Sequence, residues 1–175
     1  RYLYVVGSHS CSGKGKYKPS SYLVARFKAH DSNHIVGNGL PVMERSWRIA
    51  DMLLASDVRM AYGRKKEIGT NIEGIAISGG RLYVGLRSPN INGDAFIVSA
   101  PVKDLFAAGS QGLKNELVST INVRLGANTG MRDLAALKDG RLLILSGPTV
   151  SQLDIGFKIW LLGKPAMGAQ LRLLT

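Results

Sequence analysis

Cysteine, histidine and acid are scarce in this chain, and each shortage closes off some chemistry. Cys11 is the one cysteine in 175 residues, so neither an internal disulfide nor a thiolate cluster around a metal can form. The three histidines, His9, His30 and His34, stand at no ligand spacing, and no dense Asp/Asn loop is present to wrap a hard cation. No apolar run approaches the ~18 residues that a membrane helix needs. No basic segment leads into an apolar one, so no secretory signal is visible; the chain opens on Arg1 rather than Met, and a longer natural chain is expected. A G-x-S-x-G element is missing, which argues against an α/β-hydrolase. Gly13-Lys14-Gly15-Lys16 runs on into Tyr17-Lys18-Pro19 instead of ending in Lys-Ser/Thr at the head of a helix, so it reads as a basic loop and not a phosphate loop. Cys11, between Ser10 and Ser12, reads as a tolerated loop thiol; as a nucleophile it would need a partner base.

Positive charge, by contrast, is plentiful. Lys and Arg outnumber Asp and Glu by 23 to 12, for a net charge of +11, which favours anionic partners: phosphorylated small molecules, nucleic acid or acidic surfaces. Two local concentrations stand out, Lys14/Lys16/Lys18 and Arg64/Lys65/Lys66. Nucleic-acid grooves interleave basic tracks with aromatics for stacking. Only Tyr17 and Tyr22 lie near the first cluster, and no nucleic-acid motif occurs, so an anionic small molecule is the expected partner and nucleic acid is not.

The richest signal is repetition. Arg1-Tyr2-Leu3-Tyr4-Val5-Val6-Gly7-Ser8, Gly80-Arg81-Leu82-Tyr83-Val84-Gly85-Leu86-Arg87-Ser88 and Gly140-Arg141-Leu142-Leu143-Ile144-Leu145-Ser146-Gly147 share one grammar: a short β-branched or aromatic run closed by a Gly/Ser break. A second run follows each, at Tyr22–Phe27, Ala95–Ala100 and Phe157–Leu162, with the alternation of half-buried strands. The last two units are also preceded by a run, 71–77 before Gly79-Gly80 and 131–137 before Asp139-Gly140, pairs that suit hairpin turns. Runs at 117–121 and 36–42 are candidate outer strands. Aligning Ile75 with Leu134 offsets the units by about 59 residues and aligning Arg81 with Arg141 by about 60, which puts one inserted residue in the later turn and makes Glu73 equivalent to Arg132.

Repeated four-stranded meanders predict a mainly β, propeller-like fold of about three blades within a single domain over 1–175. Closure takes about four blades or more, so three predict an incomplete propeller, a fragment of a longer chain. Two helical insertions are expected. Ser46 to Ala55 has Ser46 as N-cap and Ile49, Met52 and Leu53 on one face, and Pro101 to Ala108 ends near Gly109. Trp47 and Met52 are expected to be packing residues and not a cofactor box.

Charge converges at the ends of the predicted inner strands: Ser8-His9-Ser10, Asn71-Ile72-Glu73-Gly74, Arg87-Ser88 and Met131-Arg132-Asp133. Two readings stay open. In one, Glu73 and Asp133 act as base or metal ligands, His9 as acid/base, and Arg87, Arg132, Asn71 and Ser8 hold an anionic substrate. In the other, Glu73 and Arg132 form an inter-blade ion pair and Asn71 and Asp133 bond turn amides, with no catalytic purpose.

The strings Gly7-Ser8-His9-Ser10, Asn71-Ile72-Glu73-Gly74-Ile75-Ala76, Val84-Gly85-Leu86-Arg87-Ser88-Pro89, Met131-Arg132-Asp133-Leu134 and Leu143-Ile144-Leu145-Ser146-Gly147-Pro148 resemble a bacterial domain-of-unknown-function family with a propeller-like fold. The Glu-Gly element and the strand after it are more loosely similar to esterase-like phytase and gluconolactonase-type propellers. In the latter a glutamate binds metal, which implies that role for Glu73 and a divalent cation as cofactor; the other ligands of that site have no clear counterpart here. The resemblance leaves the reaction open; the clustering of charged residues at the inner strand ends is what points to hydrolysis of an anionic ester or phosphoester. A non-catalytic binding or scaffold propeller is the alternative.

Overall fold

A computed structural model describes residues 2–12, 14–28, 35–36, 40–65, 68–150, 154–165 and 169–175, with 35–36 and 40–41 as backbone. His30, His34, Gly13 and Lys66 lie outside the described residues. The strands are β1 (Tyr2–Val6), β2 (Val24–Lys28), β3 (Ile35–Val36), β4 (Leu40–Pro41), β5 (Glu44–Ser46), β6 (Asn71–Ser78), β7 (Arg81–Ser88), β8 (Asp94–Pro101), β9 (Ser119–Arg124), β10 (Thr129–Ala136), β11 (Leu142–Pro148), β12 (Lys158–Leu162) and β13 (Leu171–Leu173). Two short helices, α1 (Ile49–Leu54) and α2 (Val102–Leu105), follow β5 and β8. The protein is mainly β, built on three antiparallel sheets: β1-β2-β5, β6-β7-β8-β9 and β10-β11-β12-β13, with β3-β4 as a separate ribbon. Each of the two four-stranded sheets is a meander in chain order. Among the described residues, no helix is long and apolar enough to cross a membrane.

The middle sheet is buried on both faces, and its sequence shows why. Along β7, Leu82, Val84 and Leu86 enter a core shared with Val24, Ile49, Met52 and Leu53, while Tyr83 turns to a second core with Met131, Leu134, Leu142 and Ile144. Along β8, Phe96 and Val98 join the first core, and Ala95 and Ile97 the second. Strands covered on both sides read as near-continuous apolar runs, as these do. Each fully buried aliphatic side chain contributes roughly 1.5–3 kcal/mol. The paired Gly74 and Gly85 leave a hole in the second face: a Cβ at either would come within 2.9 Å of Leu134, which fills it.

Both four-stranded sheets carry a bulge at the same place. On β6 the pairing moves from Ile72↔Leu86 to Gly74↔Gly85, leaving Glu73 as the extra residue; on β10 it moves from Met131↔Ser146 to Asp133↔Leu145, leaving Arg132. Arg87 is skipped in the same way between Asn71↔Ser88 and Ile72↔Leu86. A bulge shifts the two-residue period by one. Ile72 and Ile75 therefore share the first core, and Met131 and Leu134 the second, although each pair is three residues apart. The turns also differ as the offsets require. Gly79-Gly80 joins Ser78 to Arg81, both glycines at positive φ, whereas Leu137 bonds Arg141 around three residues, Lys138-Asp139-Gly140.

Several expected elements come out differently. Ser46 does not cap a helix: it ends β5 and donates its hydroxyl to the Leu105 carbonyl, and the helix spans Ile49–Leu54 without a side-chain cap. Met52 is fully buried as expected, but Trp47 is 56% exposed. The helix expected from Pro101 to Ala108 is one turn, Val102–Leu105. Within 36–42 the described residues form the β3-β4 ribbon, and the outer strand of the first sheet is β5. The run at 117–121 begins in a 3₁₀ turn and enters β9 at Ser119.

Candidate functional site

The three bulge residues meet. Arg87 Nη1 donates to Glu73 Oε1 at 3.0 Å, and Arg132 Nε reaches Glu73 Oε2 at 2.8 Å. Asn71 Nδ2 adds a longer contact to Oε1 at 3.4 Å. Side chains lifted out of a ladder by bulges are free to be re-aimed. Here two from the middle sheet and one from the third sheet are turned to one point. Arg132 is further held by the Pro148 carbonyl, 3.1 Å from Nη1, and its guanidinium lies 5.8 Å from the centre of the Phe157 ring. Side-chain exposure falls from 24% for Glu73 and Arg132 to 10% for Arg87, so solvent only partly screens the cluster. With two guanidiniums to one carboxylate, the trio carries a net positive charge. Arg87 Nε is buried with no partner among the described residues.

The other expected residues lie apart from this point. Asp133 is exposed, and its Oδ1 accepts a hydrogen bond from its neighbour's amide, Leu134 N, at 2.8 Å. Among the described residues, no hydrogen bond or ion pair joins it to Glu73. Ser8 Oγ pairs with Ser10 Oγ at 2.9 Å, and the Ser8 carbonyl accepts from Ile72 N, which ties this segment to the start of β6. Among the described residues, no group of three or more His, Cys, Asp or Glu side chains is placed to hold a metal ion.

His9 occupies a different setting from the trio. It is fully buried at φ +50, and its Nδ1 donates to the Gly7 carbonyl at 2.9 Å. Its ring stands edge-on to Tyr22, with centroids 5.4 Å apart. Nε2 has no partner among the described residues. Burial, which disfavours the imidazolium, pulls the pKa from 6.5 down to about 4, against smaller opposing effects from backbone bonds at Gly7 and Tyr22. Beyond the ring, Tyr22 lies 3.5 Å from the thiol of the buried Cys11, and burial likewise pushes its phenol well above the ordinary value.

Residues 48–170 match the family described as "Protein of unknown function (DUF3616)". The chain belongs to that family. No curated protein and no solved structure matches it. The DUF3616 match takes in both four-stranded sheets as far as β12, and with them Asn71, Glu73, Arg87, Arg132 and Asp133, while Ser8 and His9 precede it.

One polar feature escaped sequence reasoning. Arg48 gives its guanidinium to four main-chain carbonyls after β8: Asp104 and Gln111 at 3.0 Å, Gly109 at 2.9 Å, and Ala107. Those partners are more than 50 residues away in the chain, and nothing local marks the arginine that reaches them.

Proposed function

We propose that this chain is a propeller-type module whose charged trio clamps successive sheets together, and that it works as a binding or scaffold unit and not by turnover at that point. One observation carries the reading: each oxygen of Glu73 is engaged by an arginine, one from its own sheet and one from the next. Two guanidiniums already hold that carboxylate, so a metal or a substrate proton would compete with their positive charge for it. The propeller half of the reading draws support from three features. Each four-stranded sheet is a meander, the middle sheet is covered on both faces, and the bulge recurs at equivalent positions. Outward faces are apolar too: Leu3 and Val5 on β1 are exposed, and Leu143 and Leu145 pair with Leu161 and Ile159 on the far side of the third sheet. On this reading the described sheets are consecutive blades of one domain.

The test is a double-mutant cycle. Glu73→Gln leaves two guanidiniums facing each other, and it is expected to cost about 2 kcal/mol in urea denaturation, below the 3–5 kcal/mol of a fully buried pair. Arg132→Met is expected to cost a similar amount, and the double variant to fall short of the sum by roughly 1 kcal/mol, since each single change already breaks the pair. The hydrolase reading is tested on the same proteins with ester and phosphoester substrates, with and without divalent metals. Turnover in the wild type that Glu73→Gln abolishes without loss of fold would overturn the clamp.

A further inference from the structure

A cavity of about 380 Å³ opens between β5, the first turn of α1 and the loop after α2, and none of the trio lines it. Its size falls in the range of small-molecule pockets, about 300–1,000 Å³. Arg45, Trp47, Arg48, Asp51, Phe106 and Gln111 are among its walls. Arg45 and Trp47, on either side of the buried Ser46, whose hydroxyl bonds the Leu105 carbonyl, are both exposed and both line the opening. An exposed indole and an exposed guanidinium thus stand next to each other on one lip. Arg45 makes no ion pair or side-chain hydrogen bond among the described residues.

The opposite lip is fixed. The four carbonyls that Arg48 holds belong to the loop that forms it, and Asp51 Oδ2 accepts from Leu113 N at 3.0 Å, pinning the end of the same loop to α1. Arg48 is satisfied by dipoles and not by a carboxylate, so the groove contains two positive charges against Asp51 alone. A flat apolar surface beside an uncommitted guanidinium suits a ligand with a ring and an anionic group: the ring stacks on the indole, and the forked donors of Arg45 take the oxygens.

We propose that this groove binds a planar aromatic phosphate, of the class of nucleoside monophosphates and aryl phosphates, with its ring on Trp47 and its phosphate on Arg45. The site is separate from the trio and stands whether or not the clamp reading does. The net charge of +11 assists capture of such an anion at low ionic strength.

Calorimetric titration of the full chain with AMP, phenyl phosphate, adenosine, inorganic phosphate and a short single-stranded oligonucleotide, at low and high salt, tests it. AMP and phenyl phosphate are expected to bind saturably below about 1 mM, and adenosine and phosphate at least about tenfold more weakly. Arg45→Ala and Trp47→Ala are each expected to lower AMP affinity about tenfold, while Trp47→Phe keeps most of it. Thermal melts of these variants are expected to match the wild type, because both side chains are exposed, which separates lost binding from lost fold. Absence of saturable binding by AMP and phenyl phosphate, or affinities unmoved in Arg45→Ala and Trp47→Ala, overturns the proposal. So does binding confined to an oligonucleotide with a steep salt dependence, which would mark a non-specific basic surface.

Discussion

Gly130→Ala is expected to destabilise the protein by roughly 4 kcal/mol or more, a large share of the roughly 5–15 kcal/mol that holds a domain folded. A Cβ built at Gly130 overlaps the Arg87 carbonyl oxygen and lies 2.6 Å from its carbon and 2.8 Å from the Arg87 Cα. The obstacle is main chain, so no rotamer change relieves it. Neither partner can retreat. Gly130 is paired with Gly147 in the third sheet, and Arg87 sits in the β6–β7 bulge with its guanidinium on Glu73. Moving β10 away would also lift Leu134 out of the hole between Gly74 and Gly85. Gly156→Ala is the matched control, since nothing lies within 4 Å of a Cβ there, and it is expected to stay within about 0.5 kcal/mol of the wild type. Urea denaturation of both reads the difference. A Gly130→Ala protein within about 1 kcal/mol of wild type would mean that the two sheets do not approach as closely as described.

Stability is also expected to fall as the pH drops from about 6.5 to about 4, by about 3 kcal/mol in total, because of His9. The folded protein keeps this imidazole neutral until about pH 4, whereas the unfolded chain takes up its proton near 6.5. Between those values the unfolded state binds more protons, so acid favours unfolding; above the window the contribution is fully present, and below it no further loss occurs. The structural cause is plain: Nδ1 is engaged with the Gly7 carbonyl, and a proton on the buried Nε2 would have no acceptor among the described residues. His9→Asn removes the titration while tolerating the positive φ of +50 at this position. The comparison is the difference between wild type and His9→Asn in urea midpoints from pH 7.5 to 3.5, which cancels every other titrating group. Curves that run parallel through the window would show that His9 is not buried as a neutral ring.

Much of the middle and last thirds could be read from sequence, because there the repeat and the strand pattern agree. The offsets of 59 and 60 placed Glu73 opposite Arg132 and an extra residue in the later turn. The structure has the pair at 2.8 Å and a three-residue turn. The bulges themselves were hidden, since a skipped residue looks like any other in a run of eight, and with them hidden Asp133 stayed open between a role with Glu73 and a bond to a main-chain amide; its Oδ1 accepts from Leu134 N. The start of the helix expected from Ser46 to Ala55 was misread for a different reason. Ser46 and the spacing of Ile49, Met52 and Leu53 satisfy a helix locally, but Ser46 is claimed by pairing with Val24 of β2, and the helix begins only at Ile49. Non-local pairing overrode local preference. Trp47 was read as a packing residue, and no pattern in the sequence distinguishes an indole that packs from one left on a lip.

The kinks at residues 73 and 132 bear on how such chains can diversify. A side chain there hangs from backbone that neither the ladder nor the hydrophobic interior uses, so one sheet can offer an acid and the next a base over the same foundations. Because Glu73 and Arg132 hold each other across the two sheets, a change at one socket loosens that seam unless the other changes with it, so the two positions are expected to vary as a pair while the frame beneath stays common.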